Sequence, residues 1–320
     1  MTGGIALTTS NFSEAELTWE LPAGLSRLRP EACGLLTALN ERVWQAGDPV
    51  LLELVRVRVG QLIGNPAAFA LAASAASSAE RDVVDFAEQF VIDVGGTTEE
   101  MRDGLAARFG ADGARALVTA IYVVEFTQRL QLIAARLLDD ALPAGSSAAA
   151  DFVAANLAAA EASPAGLLNA YQAAVVRGSA LDPVTTELVR LRCARTHHCR
   201  ICQTLRLADS RAAGVDEDMT AKVDFYERSD LPQRAKVALR VTDAFITRPD
   251  LLSDTVAGQA RASFGPAELA SLCLDITKWS TQKIKVALGT DGADRLVTDA
   301  DGVALFGFDS GGRVTGYRRR

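Results

Sequence analysis

Histidine is nearly missing from this 320-residue chain: there are two, side by side, as His197 and His198. Chemistry that needs imidazole therefore has one address, and no second Cys/His knuckle exists to complete a structural zinc centre. Aromatic residues are also sparse, at 6%. A basic excess is absent. The formal net charge is −7, so nothing builds the cationic face that a phosphate backbone demands, and a nucleic-acid partner is not expected. The Arg318-Arg319-Arg320 tail reads as a solvated end. Long apolar runs are lacking too. The greasiest stretch, Ala67 to Ala76, is mostly small residues and too short to span a bilayer, so no membrane partner is expected. The opening Met1-Thr2-Gly3-Gly4-Ile5 has neither the basic start nor the apolar core of a signal peptide, and a cytoplasmic location is expected. The five cysteines are an odd number in a long chain, which argues against a disulfide-stapled secreted domain.

What is present is helix-forming sequence. Hydrophobic residues make up 49% and charged residues 23%, an ordinary globular balance dominated by Ala, Leu, Arg and Glu. The chain is comfortable for two cores, and it repeats itself. Asp48-Pro49-Val50-Leu51-Leu52-Glu53-Leu54-Val55-Arg56-Val57-Arg58-Val59 lies over Asp182-Pro183-Val184-Thr185-Thr186-Glu187-Leu188-Val189-Arg190-Leu191-Arg192-Cys193, with eight of twelve positions identical. Gly34-Leu35-Leu36 answers Gly166-Leu167-Leu168 upstream. Downstream, Phe109-Gly110 answers Phe264-Gly265, and Thr127-Gln128-Arg129-Leu130 answers Thr281-Gln282-Lys283-Ile284. The order is kept throughout.

Each Asp-Pro suits a helix start, with Pro in the first turn and Asp as cap. Leu188, Val189 and Leu191 supply an apolar flank, and Arg190 and Arg192 read as solvated charges on the other. Ala235 to Phe245 and Ala267 to Ile276 keep helical spacing, with Pro249 and Gly265-Pro266 as breaks. The expected architecture is all-α, in two tandem helical domains covering 10–143 and 148–298, with Pro143-Ala144-Gly145-Ser146-Ser147 as linker. Residues 299–320 form a tail in which Val303–Phe308, Asp309–Gly312 and Arg313–Tyr317 suggest a small hairpin.

A Cys-x-x-Cys pair, Cys199 and Cys202, occurs in the second copy alone. The first copy has Asn65 and Ala68 there, so the fold does not need thiols for packing. Glu187 precedes Cys199 by twelve positions, about 18 Å along a straight helix. A break at Thr196-His197-His198 would let a new helix begin at Cys199 and bring Glu187 beside the thiols. On that new helix Arg206, four residues beyond Cys202, would share their face and favour thiolate. Cys33 and Cys273, among apolar neighbours, read as small core residues.

Glu-x11-Cys-x2-Cys, preceded by Pro…Gly-Leu-Leu and Leu-Asp-Pro, resembles the carboxymuconolactone decarboxylase superfamily, and within it the alkylhydroperoxidase D-like branch. The resemblance covers residues 160–290, and residues 28–135 as a degenerate copy. It implies an all-helical fold, homo-oligomers and reduction of a hydroperoxide substrate. Cys202 would attack the peroxide, Cys199 would resolve the sulfenic acid and face the reductant, and Glu187 would belong to the proton relay. No prosthetic group is implied; a lipoylated or thioredoxin-like thiol protein would return the electrons. The family pattern ends Cys-x3-His, where this chain has Arg206. His198 is the nearest substitute for that relay base, whose loss removes about 10²–10⁴-fold where it acts. The rival readings are zinc on His198, Cys199 and Cys202 with Cys193 or His197, a decarboxylase-type lyase, and a non-enzymatic scaffold with a vestigial site.

Overall fold

A computed structural model describes residues 20–69, 77–138, 163–294 and 296–317. The expected linker at 143–147, the arginine tail and most of the Ala67–Ala76 stretch lie outside the described residues. The first half runs α1 (Ala23–Leu28), α2 (Pro30–Ala46), α3 (Pro49–Leu62), α4 (Pro66–Phe69), α5 (Ser78–Asp93) and α6 (Glu99–Leu138). The second half runs α7 (Pro164–Arg177), α8 (Pro183–Thr196) and α9 (Arg200–Thr204), then β1 (Leu205–Leu207), α10 (Ala208–Ala212) and α11 (Glu217–Ala221). It continues with a 3-10 turn at Lys222–Arg228, then α12 (Gln233–Ile246), α13 (Asp254–Ser263), α14 (Pro266–Ser280) and α15 (Lys283–Ala287).

The local causes are those the sequence suggests. Asp48 caps α3 by accepting from the amides of Val50 and Leu51, and Asp182 caps α8 by accepting from Thr185, each with proline in the first turn. Pro249 opens a 3-10 turn, and Gly265 caps α14 ahead of Pro266. The first-half counterpart of that break is Gly110, whose φ of 70° and ψ of 169° interrupt α6. Glycine reaches this conformation without a Cβ penalty.

Packing ties the halves together. α2 lies on α7, α8 on α12 and α14, and α14 on α6. One apolar cluster includes Leu36, Phe86 and Ile121 from the first half together with Val189, Phe245 and Leu272 from the second. α6 is long and apolar enough to cross a bilayer, but 83% of its apolar window is buried inside the protein, as in a core helix. Within this interior Lys283 Nζ donates to both oxygens of Glu125 at 2.8 and 2.7 Å, and Arg129 Nε donates to Glu125 at 2.8 Å. Buried charges persist only when paired in this way.

The expected hairpin is present as β2 (Ala304–Phe308) and β3 (Val314–Thr315), antiparallel with Gly307 opposite Thr315 and Phe308 opposite Val314. A third strand was not expected. β2 also pairs in parallel with β1, Leu205 opposite Ala304 and Leu207 opposite Phe306. The hairpin tip is pinned to α7: Arg177 donates to the Gly311 carbonyl at 2.6 Å, and a Cβ on Gly312 (φ 76°) would lie 2.3 Å from the Ala173 carbonyl oxygen.

Candidate functional site

α8 ends at Thr196, and the chain turns through His197 and His198 before Cys199 starts α9. His198 has φ 56°, the left-handed region, which histidine tolerates better than most side chains. Its ring is exposed and sits close to Gly95, where a Cβ would come within 2.8 Å of His198 Cγ. The expected break is thus in place. Cys199 caps α9, its sulfur accepting from the Cys202 amide at 3.3 Å. Cys199 and Cys202 are joined as a disulfide with Cα atoms 5.3 Å apart.

Glu187 is fully buried, and Arg190 holds both its oxygens, Nε to Oε2 at 2.6 Å and Nη2 to Oε1 at 2.7 Å. The same guanidinium donates to the Cys202 carbonyl at 2.8 Å and to the Leu205 carbonyl. The acid expected beside the thiols therefore reaches their turn through Arg190. This corrects the reading of Arg190 as a solvated charge: it is 3% exposed. Helical period alone places it outward, but Phe306 of β2 covers that flank, its ring centroid 5.5 Å from the guanidinium. Arg192 is partly buried and pairs with Asp243 at 2.5 Å.

Arg206 requires a second correction. α9 stops at Thr204, and Leu205 is extended (φ −84°, ψ 146°), so Arg206 lies on β1 and the shared-face argument fails. Its guanidinium is committed to Glu217 at 3.1 and 2.7 Å and to the carbonyls of Gln203 and Leu205. The histidines part company. His198 is exposed, while His197 is buried with Nε2 3.0 Å from Ser280 Oγ. Burial, with Lys283 and Arg129 nearby, holds His197 well below the usual histidine range.

Cys202 lines a cavity of about 810 Å³ whose walls include Leu35, Ile201, Trp279, Phe306 and Phe308. Arg190 and Lys278 also line it, but Cys199 does not. Lys278 is 4% exposed, its Nζ 3.0 Å from the Trp279 ring centroid and 4.6 Å from that of Phe308. Burial pushes this amine well below the usual lysine range, against the pull of Asp275. Asp275 in turn is pushed up to about 6 by burial. Sequence reasoning missed Lys278, although a lysine inside the apolar run from Leu269 to Trp279 was a usable signal. Cys33, Cys193 and Cys273 are buried free thiols pushed up to about 12 by burial, the inert profile of core cysteines. Among the described residues no group of three or more His, Cys, Asp or Glu is placed to hold a metal ion.

A family model described as the carboxymuconolactone decarboxylase family matches residues 164–223, which hold Glu187, Arg190 and both thiols of the site. Two relatives, uncharacterized proteins from two strains of Mycobacterium tuberculosis, are each 36% identical over 240 residues, covering 72% of this chain and 82% of the relative. The chain belongs to the carboxymuconolactone decarboxylase family. No solved structure matches it.

Proposed function

We propose that this protein is a thiol oxidoreductase of the alkylhydroperoxidase D-like kind, reducing a hydroperoxide through Cys202 and Cys199. In this reading the first half is a degenerate copy that supports the site. The observation that carries it is that Cys202 lines the cavity while bonded to Cys199, which does not line it.

In the dithiol state Cys202 attacks, as thiolate, the terminal oxygen of R–O–O–H. The O–O bond breaks, the S–O bond forms, and the alkoxide leaves with a proton from water, giving ROH and a Cys202 sulfenic acid. The Cys199 thiol then attacks that sulfur and expels water, leaving the disulfide. An external dithiol, lipoylated or thioredoxin-like, returns the two electrons by exchange. Arg190 on the Cys202 carbonyl keeps a cation beside the thiol turn, which favours thiolate, while Glu187 fixes the guanidinium from behind. Because Cys202 lines the cavity and Cys199 does not, a slender dithiol arm entering there would attack Cys202 and release Cys199, in place of the attack on Cys199 that the family resemblance implies.

Intact mass after alkylation in denaturant tests this. The reduced protein is pulsed with an organic hydroperoxide, quenched and mapped. Cys199 and Cys202 should lose alkylation together and regain it on dithiol treatment. If both remain alkylatable after the pulse, the peroxide reading is wrong.

A further inference from the structure

We propose that the cavity above Cys202 selects an apolar-bodied monocarboxylate, with Lys278 as its counter-charge. The inference deepens the peroxide reading by naming the substrate class, a carboxylate-bearing organic hydroperoxide, and rests on that reading only for the chemistry at the Cys202 end.

Charge is the first argument. The chain carries a net −7, yet the charged residues lining the cavity are Arg177, Arg190, Lys278, Lys285 and Arg313 against one acid, Glu31. A low-dielectric cleft of one sign concentrates ligands of the other. Much of this charge is already answered: Arg177 pairs with Glu31, and Arg190 with Glu187. Lys278 is different. Among the described residues its amine makes no hydrogen bond or ion pair, and Asp275, one turn back, accepts from Ser179 instead, at 3.2 Å. An amine held against two aromatic rings, with Asp275 near enough to act on its charge but no hydrogen-bond acceptor of its own, gains one when a ligand supplies it. Trp279 Nε1, on the same wall, is buried without an acceptor.

The rest of the cavity specifies the ligand. Leu35, Ile201, Phe306 and Phe308 offer apolar wall, and about 810 Å³ is room for a medium-length chain or a substituted ring. A bound carboxylate would draw the proton back onto the Lys278 amine, so that one charge matches one at this wall. Counted back from the matched Thr127 and Thr281, the first half has Val124 and Glu125 on α6 where α14 has Lys278 and Trp279, so the fold does not require an amine at the Lys278 position.

The test is calorimetric binding of decanoate and of decan-1-ol to the full-length protein in its disulfide form. Neither ligand is a peroxide, so this result and the alkylation result fail independently. Wild type should bind decanoate at least about tenfold more tightly than decan-1-ol. K278M should bring the two affinities within about threefold, and K278R should keep the preference. Equal binding of both ligands by wild type, binding of neither, or an undiminished preference in K278M would overturn the proposal.

Discussion

The same Glu-x-x-Arg pair stands on the same turn of the repeated helix in both halves, Glu53–Arg56 on α3 and Glu187–Arg190 on α8, and the two have different fates. In the first half the side chains are 28% and 11% exposed, and the chain after α3 carries Asn65 and Ala68. Asn65 donates to Gln128 at 3.0 Å, and Gln128 donates to the Arg56 carbonyl at 3.3 Å, so this corner closes on itself through amides. In the second half Glu187 and Arg190 are 1% and 3% exposed, and the guanidinium is carried onto the Cys202 and Leu205 carbonyls. The carboxylate–guanidinium pair is thus a property of the repeat unit. It joins a candidate site only where Phe306 of the C-terminal hairpin lies over it and the helix that follows carries thiols.

The sharpest way to break that contrast is to remove the thiol. Cys202→Ser should abolish peroxide-driven oxidation and leave Cys199 alkylatable after the pulse, whereas Ala68→Cys in the first half should acquire no activity, because Asn65 stands where the second half has Cys199. Turnover of a peroxide by C202S at the wild-type rate would remove the second half's claim. Next comes the buried pair. Arg190→Met strands the Glu187 carboxylate in the interior and should destabilise the fold by about 3–5 kcal/mol. Arg56→Met should cost less, because its partner Glu53 is 28% exposed and can be solvated when the guanidinium is removed. Urea unfolding of both variants reads the difference directly. Equal losses would mean that burial is not what separates the two corners.

What the sequence made legible was local. Asp48 and Asp182 as caps, the break at Thr196–His198, the new start at Cys199 and the stop at Gly265-Pro266 follow from residues within a turn or two of the event they cause. What it hid was decided from a distance. Arg190 is buried because Phe306, more than a hundred residues later, lies over it. Arg206 leaves the helix because Leu205–Leu207 pairs with Ala304–Phe306, a parallel register that no periodicity within either segment announces. A signal existed at Arg206: Leu205-Arg206-Leu207 alternates as a strand does, although three residues cannot be separated from helix by period alone. Lys278 was hidden by the same covering, since only the arrival of Phe308 makes its position a cavity wall.

The interior where the halves meet gives a smaller test with a definite sign. Burial, only partly offset by Glu125, lowers Lys283 to about 8 from its usual 10.5. Between those values the unfolded chain holds a proton that the folded one has released, so raising pH through this window favours the fold. Below about 8 both states are protonated, and the penalty for burying the charged amine is present in full. Wild type should therefore gain stability relative to Lys283→Met between pH 8 and pH 10, by up to about 1.4 kcal/mol per pH unit. The difference between the two proteins, followed by urea unfolding across that range, cancels groups common to both. A difference that is flat or falls with pH would show that Glu125 holds Lys283 charged throughout.

The smallest effect should come from the residue that stands where the family pattern has histidine. Arg206 is tied to Glu217, itself about one-third exposed, and to two carbonyls of its own turn, so Arg206→Ala removes one partly solvated pair and should cost about 1 kcal/mol or less. Its consequence for the thiols is the more telling quantity. A guanidinium on the thiol face would lower the pH midpoint for alkylation of Cys202, and its removal would raise that midpoint. With Arg206 on β1 and Arg190 the cation at the Cys202 carbonyl, the midpoint in R206A should match wild type, while replacing Arg190 should move it upward in whatever fraction of the protein remains folded. A rise of a full unit in R206A would return Arg206 to the thiols and make the arrangement at Thr204–Leu205 one of two that the chain can adopt.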